Sequence, residues 1–206
     1  MPVFFQHQIN ETTRLGVWKI EETQDFFKGR VPQHRDVTHP HKRLQHLAGR
    51  FLLQFLFPDF PYNLIMIADT LKPFLPGEQY HFSISHCGDY AAAIVSKDSR
   101  VGIDIEITVE KIVRIRDKYL TSDEKSKWSV DGSKPDAHTL TLLWSCKEAV
   151  FKWFGDGGVD FREDILLQKI NEEEKKIDCF FVKTKQQLIA HYRQFNDLTL
   201  VWIINH

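Results

Sequence analysis

The chain has 206 residues, with 27 Lys and Arg against 28 Asp and Glu, for a net charge of −1. A balance this even excludes nucleic-acid binding through bulk electrostatics, which needs a basic domain or stripe, so any recognition of a polyanion is local. Its 16 Phe and 5 Trp supply a core large enough to fold without staples. The three cysteines, Cys87, Cys146 and Cys179, show no CxxC spacing and point to a reducing compartment. The N-terminus lacks the basic start and apolar core of a signal peptide, and no stretch approaches the ~20 apolar residues of a membrane span. A cytoplasmic protein is expected.

Taken in order, the first half reads as strands at Val3 to Ile9 and Leu15 to Ile20, a helix from Glu21, and a longer helix from His41 to Phe57 closed by Pro58. Strands at Leu64 to Ala68, Tyr80 to Ser85 and Tyr90 to Ser96 follow, separated by the turn-formers Pro76-Gly77 and Gly88-Asp89. Ser96 to Arg100 is a hairpin turn or a lobe boundary. The second half opens with a strand from Val101 to Ile107 and charged helices from Val109 to Val130. It continues with a helix from Ala137 to Phe154, which Asp136 caps and Gly155 ends. Strands at Ile165 to Ile170, Lys176 to Lys183 and Leu198 to Ile204 finish the chain, with Gln186 to Gln194 open between strand and helix. Several strands and a long helix in each half imply an α+β fold of two similar lobes, 1–100 and 101–206.

Four segments carry chemistry. Along Val101 to Ile107 the alternation of a strand sets Ile103 and Ile105 on one face and Asp104 and Glu106 on the other. Two such carboxylates are either a solvated edge or ligands for Mg²⁺, which favours oxygen donors. In the helix ending at Phe154, Cys146, Ala149, Val150, Trp153 and Phe154 form an apolar stripe, and Glu148 and Lys152 lie opposite it, one turn apart. That pair is an ordinary surface ion pair or part of a cleft wall; Trp144 and Phe151, flanking the same face, favour the cleft. Lys147 points between the stripe and Phe151.

His86 ends the strand that carries Ser83 and Ser85, where an imidazole either braces a turn or donates to a phosphate. The stretch from Arg35 to Arg50, with His39, His41, Lys42, Arg43 and His46, is a solvated basic helix or a phosphate clamp.

In their order and spacing, Phe82-Ser-Ile-Ser-His86, Gly102-Ile-Asp-Ile-Glu106 and Trp144-Ser-Cys-Lys-Glu-Ala-Val-Phe-Lys152 resemble the three motifs of the Sfp-type 4'-phosphopantetheinyl transferases, in the holo-acyl-carrier-protein synthase superfamily. His46-Leu-Ala-Gly-Arg50 is similar to a segment of the family's N-terminal half. Leu71-Lys72-Pro73 stands where the family usually has Gly-Lys-Pro. The resemblance implies two pseudo-symmetric α+β lobes of mixed or antiparallel sheet with packed helices and the active site between them. It further implies Mg²⁺-dependent transfer of 4'-phosphopantetheine from coenzyme A to a serine of an apo acyl or peptidyl carrier protein, by a monomer. The metal ligands would be Asp104, Glu106 and Glu148, and Glu148 and Lys152 would be catalytic. His86, Lys72, Lys152 and one or both of Arg43 and Arg50 would hold coenzyme A, and Arg116 to Glu124 would help receive the carrier. The alternatives are a non-catalytic paralogue that binds coenzyme A or a carrier, and a Mg²⁺-dependent phosphodiesterase.

Overall fold

A computed structural model of the protein describes residues 3–31, 37–128 and 136–205. Arg35 of the basic stretch and the end of the helical segment at 129–130 lie outside the described residues. Strands β1 (Val3–Gln8) and β2 (Thr13–Lys19) precede the single turn of α1 (Gln24–Phe27) and the 17-residue α2 (Pro40–Leu56). A 3-10 turn at Tyr62–Leu64 leads into a small hairpin of β3 (Met66–Ile67) and β4 (Pro73–Phe74), so only part of the strand expected there forms. Next come β5 (His81–Cys87), β6 (Tyr90–Ser96) and β7 (Arg100–Ile107).

The charged segment after β7 is not continuous helix. It breaks into α3 (Lys111–Ile115), a 3-10 turn at Arg116–Lys118 and α4 (Ser122–Lys127). The break turns Tyr119 and Leu120 inward, where both are fully buried and the Tyr119 hydroxyl donates to Leu140 O. A capping box between Thr121 and Glu124 then restarts the helix. Helix α5 (Ala137–Phe154) starts on the Asp136 carboxylate and stops at Gly155 in the left-handed region, the boundaries its sequence predicts. Strands β8 (Ile165–Asn171), β9 (Lys176–Phe181), β10 (Gln186–Phe195) and β11 (Leu198–Asn205) complete the chain. Gln186–Phe195 is strand because Leu188, Ala190 and Tyr192 alternate inward with a period of two.

The fold is α+β, with two antiparallel sheets in the orders β1-β2-β6-β5 and β7-β11-β10-β9-β8. Helix α2 packs on the first sheet around Trp18, Leu52 and Phe82, and α5 packs on the second around Cys146, Val150 and Ile203. A third apolar cluster joins the sheets, with Leu15, Val17, Ala92 and Ile94 meeting Ile103, Ile105, Leu200 and Trp202. No helix among the described residues is long and apolar enough to cross a membrane.

Strand β7 lies directly under α5. A Cβ at Gly102 would come within 2.1 Å of Ala149 O and 2.7 Å of Trp153 N, both backbone atoms that cannot rotate away. Glycine here lets the helix settle onto the strand, which brings Glu148 and Lys152 over the Asp104 face. Gly102→Ala is expected to lift the helix and cost ~3 kcal/mol, a fall in Tm of roughly 6–12 °C for a chain of this size. Thermal unfolding followed by circular dichroism checks this, and an unchanged Tm would show that α5 does not need the close approach.

Candidate active site

Strands β5 and β7 are edge strands of different sheets, and side chains join them in place of a backbone ladder. Three alternate residues of β5 reach across: Ser83 Oγ accepts from Ile103 N at 3.2 Å, Ser85 Oγ donates to Asp104 Oδ1 at 2.8 Å, and Cys87 Sγ accepts from Ile107 N at 3.2 Å. Lys152 of α5 reaches down to the middle of this seam. Its Nζ lies 2.6 Å from Asp104 Oδ1 and 2.9 Å from Ser85 Oγ, closing a triangle of ammonium, carboxylate and hydroxyl. Asp104 is only 2% exposed, and its second oxygen, Oδ2, is buried without a hydrogen-bond partner among the described residues.

Two more carboxylates sense this one. Burial raises the pKa of Glu106, Asp104 adds to the rise, and the Cys87 thiol, Lys152 and Trp144 pull it back. Glu148, one turn before Lys152, is pushed up to about 7, first by burial and then by the charges of Asp104 and Glu106, against the pull of Lys152. Desolvated like charges held together in this way are costly to the fold and are typical of a place prepared for a cation or a proton. Among the described residues, no group of three or more His, Cys, Asp or Glu side chains is close enough to hold a metal ion as it stands.

His86 is exposed at the end of β5. The protein bulk beside its ring lowers its pKa, the charges of Lys152 and Lys42 add to this, and Asp104 opposes it. The turn that follows is tied to α2 by Gln45 Nε2, which donates to Gly88 O at 2.8 Å. Lys72 follows the β3–β4 turn and lies across the end of α5, its Nζ 2.4 Å from where a Cβ would stand on Gly155. Thr70 Oγ1 pins the same turn by donating to Gly155 O. A cavity of about 210 Å³ between Lys72 and Lys152 is walled by Leu71, Ile84 and Phe151.

The two arginines lie apart from this group. Arg43 donates from Nε to Val37 O at 2.7 Å and from Nη1 to Gln24 Oε1 at 3.4 Å, bracing the entry to α2. Arg50 is 6% exposed, against His46 Nδ1 at 2.9 Å. Lys147 is fully buried: its ammonium bonds the Glu124 carboxylate at 2.9 Å and Phe161 O at 2.8 Å, and Glu124 also accepts from Thr121 N and Leu167 N. This pair ties α4, α5 and β8 together beneath the site.

Ser85 was not among the expected site residues, although the alternation of β5 was a visible signal, whereas Trp144, expected to flank the cleft, stands one turn before Glu148. The aromatic row Tyr119, Trp144, Phe161 and Phe151, with neighbouring centroids 5.1 to 5.5 Å apart, packs in and against the core cluster beneath α5.

Residues 100–201 match the family model described as the 4'-phosphopantetheinyl transferase superfamily, and over that span the chain belongs to it. Enterobactin synthase component D of Escherichia coli K12 is 34% identical over 114 residues, covering 54% of each chain. The L-aminoadipate-semialdehyde dehydrogenase-phosphopantetheinyl transferase of Xenopus laevis is 30% identical over 163 residues, 69% of this chain and 53% of that one. The 4'-phosphopantetheinyl transferase psf-1 of Bacillus pumilus is 35% identical over 78 residues, 38% of this chain and 33% of that one. The chain spans about half the length of the curated relatives it matches.

The raised pKa of Glu148 has a signed effect on stability. The folded chain holds its proton up to about pH 7, whereas the unfolded chain releases it near 4.5, so this contribution is present below pH 4.5 and is lost as pH rises through 7. Glu148→Gln is therefore expected to match the parent at pH 4.5 and to exceed it at pH 8 by ~2 kcal/mol in EDTA. Urea unfolding at both pH values reads the difference, and equal stabilities at pH 8 would remove the strain. Lys147→Met, which strands Glu124, is expected to cost ~3–5 kcal/mol. Adding Glu124→Gln should recover part of the loss, and a strictly additive double variant would argue against the pair.

Proposed function

We propose that the protein transfers the 4'-phosphopantetheine arm of coenzyme A to a serine hydroxyl of an apo acyl or peptidyl carrier protein and releases adenosine 3',5'-bisphosphate. The observation that carries this reading is the Asp104–Ser85–Lys152 triangle with Glu148 beside it, in which Asp104, Glu148 and Lys152 lie in the segment that matches the superfamily. The serine oxygen attacks the phosphorus that bears the pantetheine arm, a P–O bond to serine forms, and the P–O bond to the adenosine-side phosphate breaks. Glu148, whose carboxylate stands beside the triangle, takes the serine proton. Lys152 meets the negative charge that collects on the departing phosphate, and His86 donates to a phosphate oxygen at the cleft mouth.

The residues fit Mg²⁺ by donor chemistry. Asp104, Glu106 and Glu148 are all oxygen donors, one buried oxygen of Asp104 lacks a partner among the described residues, and the mutual repulsion of the three falls when a hard cation shares them. These three would hold the ion, which supplies neutralisation of the pyrophosphate charge when bound.

The test is intact-mass spectrometry of apo carrier proteins incubated with the protein, coenzyme A and Mg²⁺. A gain of one phosphopantetheine arm that disappears in EDTA is expected. Glu148→Gln should slow transfer about a hundredfold or more while still binding coenzyme A. No gain on fatty-acid, polyketide or peptide carriers, with coenzyme A bound, would replace this reading with that of a non-catalytic binder.

A further inference from the structure

Two buried thiols have no part in the chemistry above. Cys146 on the inner face of α5 and Cys179 in β9 are 33 positions apart in the chain, yet their Sγ atoms lie 3.4 Å from each other. Both are free, and neither is exposed. Cys179 donates a weak bond to Ile177 O at 3.5 Å, which leaves its sulfur to accept from the Cys146 thiol. The third cysteine, Cys87, is half-buried in the β5–β7 seam, where it takes the Ile107 N–H.

A disulfide is shorter than this contact by about 1 Å, so forming one draws α5 toward β9. In the order β7-β11-β10-β9-β8, β9 lies three strands from β7. The close approach at Gly102 and the Lys152–Asp104 bond hold the same helix down on β7. The two restraints therefore pull α5 toward opposite sides of the sheet. Cys146 stands two residues before Glu148, so the turn that shifts first is the one that carries this glutamate.

The step balances with one molecule of peroxide. One cysteine sulfur attacks a peroxide oxygen, the O–O bond breaks, and a sulfenic acid and water result. The second thiol then displaces the hydroxyl as a second water, and the S–S bond forms. Both sulfurs are oxidised, both peroxide oxygens are reduced, and the two thiol protons leave in the waters. Because the sulfurs are enclosed, this follows local loosening of α5 over β9.

We propose that Cys146 and Cys179 form a redox-sensitive latch. As thiols they let α5 rest on β7; as a disulfide, with a hydroperoxide as oxidant, they draw Glu148 and Lys152 away from the Asp104 seam. That the latch slows phosphopantetheine transfer rests on the transferase reading; the disulfide and the shift of α5 do not.

Treating the folded chain with hydrogen peroxide, followed by intact-mass measurement and peptide mapping without reduction, tests the bond. The expected product is lighter by two hydrogens, carries a Cys146–Cys179 link, reverts in dithiothreitol and does not form in Cys179→Ala. Its Tm is expected to stand about 5 °C or more above that of the reduced chain, because the link restrains the unfolded state. A pair that stays reduced while Cys87 gains oxygen, or a link that forms only in urea, would overturn the latch and leave two thiols that merely pack.

A crystal structure of the oxidised chain reads the shift directly. Lys152 Nζ is expected to lie outside hydrogen-bond distance of Asp104 Oδ1, and an unchanged contact would overturn the latch. Carrier modification then separates the two readings. Transfer by the oxidised chain is expected to be about tenfold or more slower, with recovery on reduction, and equal rates with the link mapped would overturn control of the site. A mapped link and a shifted helix in a protein that modifies no carrier in either form would keep the latch and remove the transferase reading.

Discussion

The site depends on how two sheet edges meet. Strands β5 and β7 share no backbone ladder, so their relative position is set by Ser83, Ser85 and Cys87 on alternate positions of β5 and by the apolar cluster between the sheets. Because the bonds fall on every second residue, a slip of one position would replace Ser85 with Ile84 or His86 opposite Asp104. Register and chemistry are therefore specified by the same three side chains. Lys152, from a helix that Gly102 admits to close approach, locks the middle of the seam.

The electrostatics follow from that geometry. Asp104 can stay buried because Lys152 and Ser85 both bond one of its oxygens, yet the other oxygen and the two neighbouring glutamates leave an excess of negative charge. Buried pairs of this type contribute little net stability and much orientation. The Lys147–Glu124 pair beneath them is more enclosed, with both partners almost wholly buried and hydrogen-bonded on several sides, so removing either one is costly. Adjacent residues of one helix thus serve different ends, Lys147 anchoring α5 to α4 and β8 and Glu148 facing the cleft.

Much of this was legible in the chain. Ala137–Phe154 and Tyr90–Ser96 form as their caps and flanking turn-formers predict, because those signals are local. The segment after β7 is broken because Tyr119 and Leu120 are drawn into the core, and no local pattern states where a core lies. The carboxylates and Lys152 were readable from periodicity, whereas the contact of Lys152 with Ser85 spans 67 positions and depends on the fold. Arg43 and Lys72 look equally available in sequence. One spends its guanidinium on Val37 O and Gln24, and the other lies unpaired among the described residues beside a cavity. Charge is visible in a sequence, but its engagement is not.

The seam also bears on how the chain keeps its strand edges from pairing with other chains. Edge strands invite other chains to pair, and proteins usually blunt them with charge or cover. Here the two inner edges cover each other, and five of the eight residues of β7 and three of the seven of β5 are buried. A cut in the short connection from Ser96 to Arg100 would, once the halves parted, leave each with an uncovered strand edge. Aggregation would then accompany the loss of the site, and expressing either half alone would meet the same hazard.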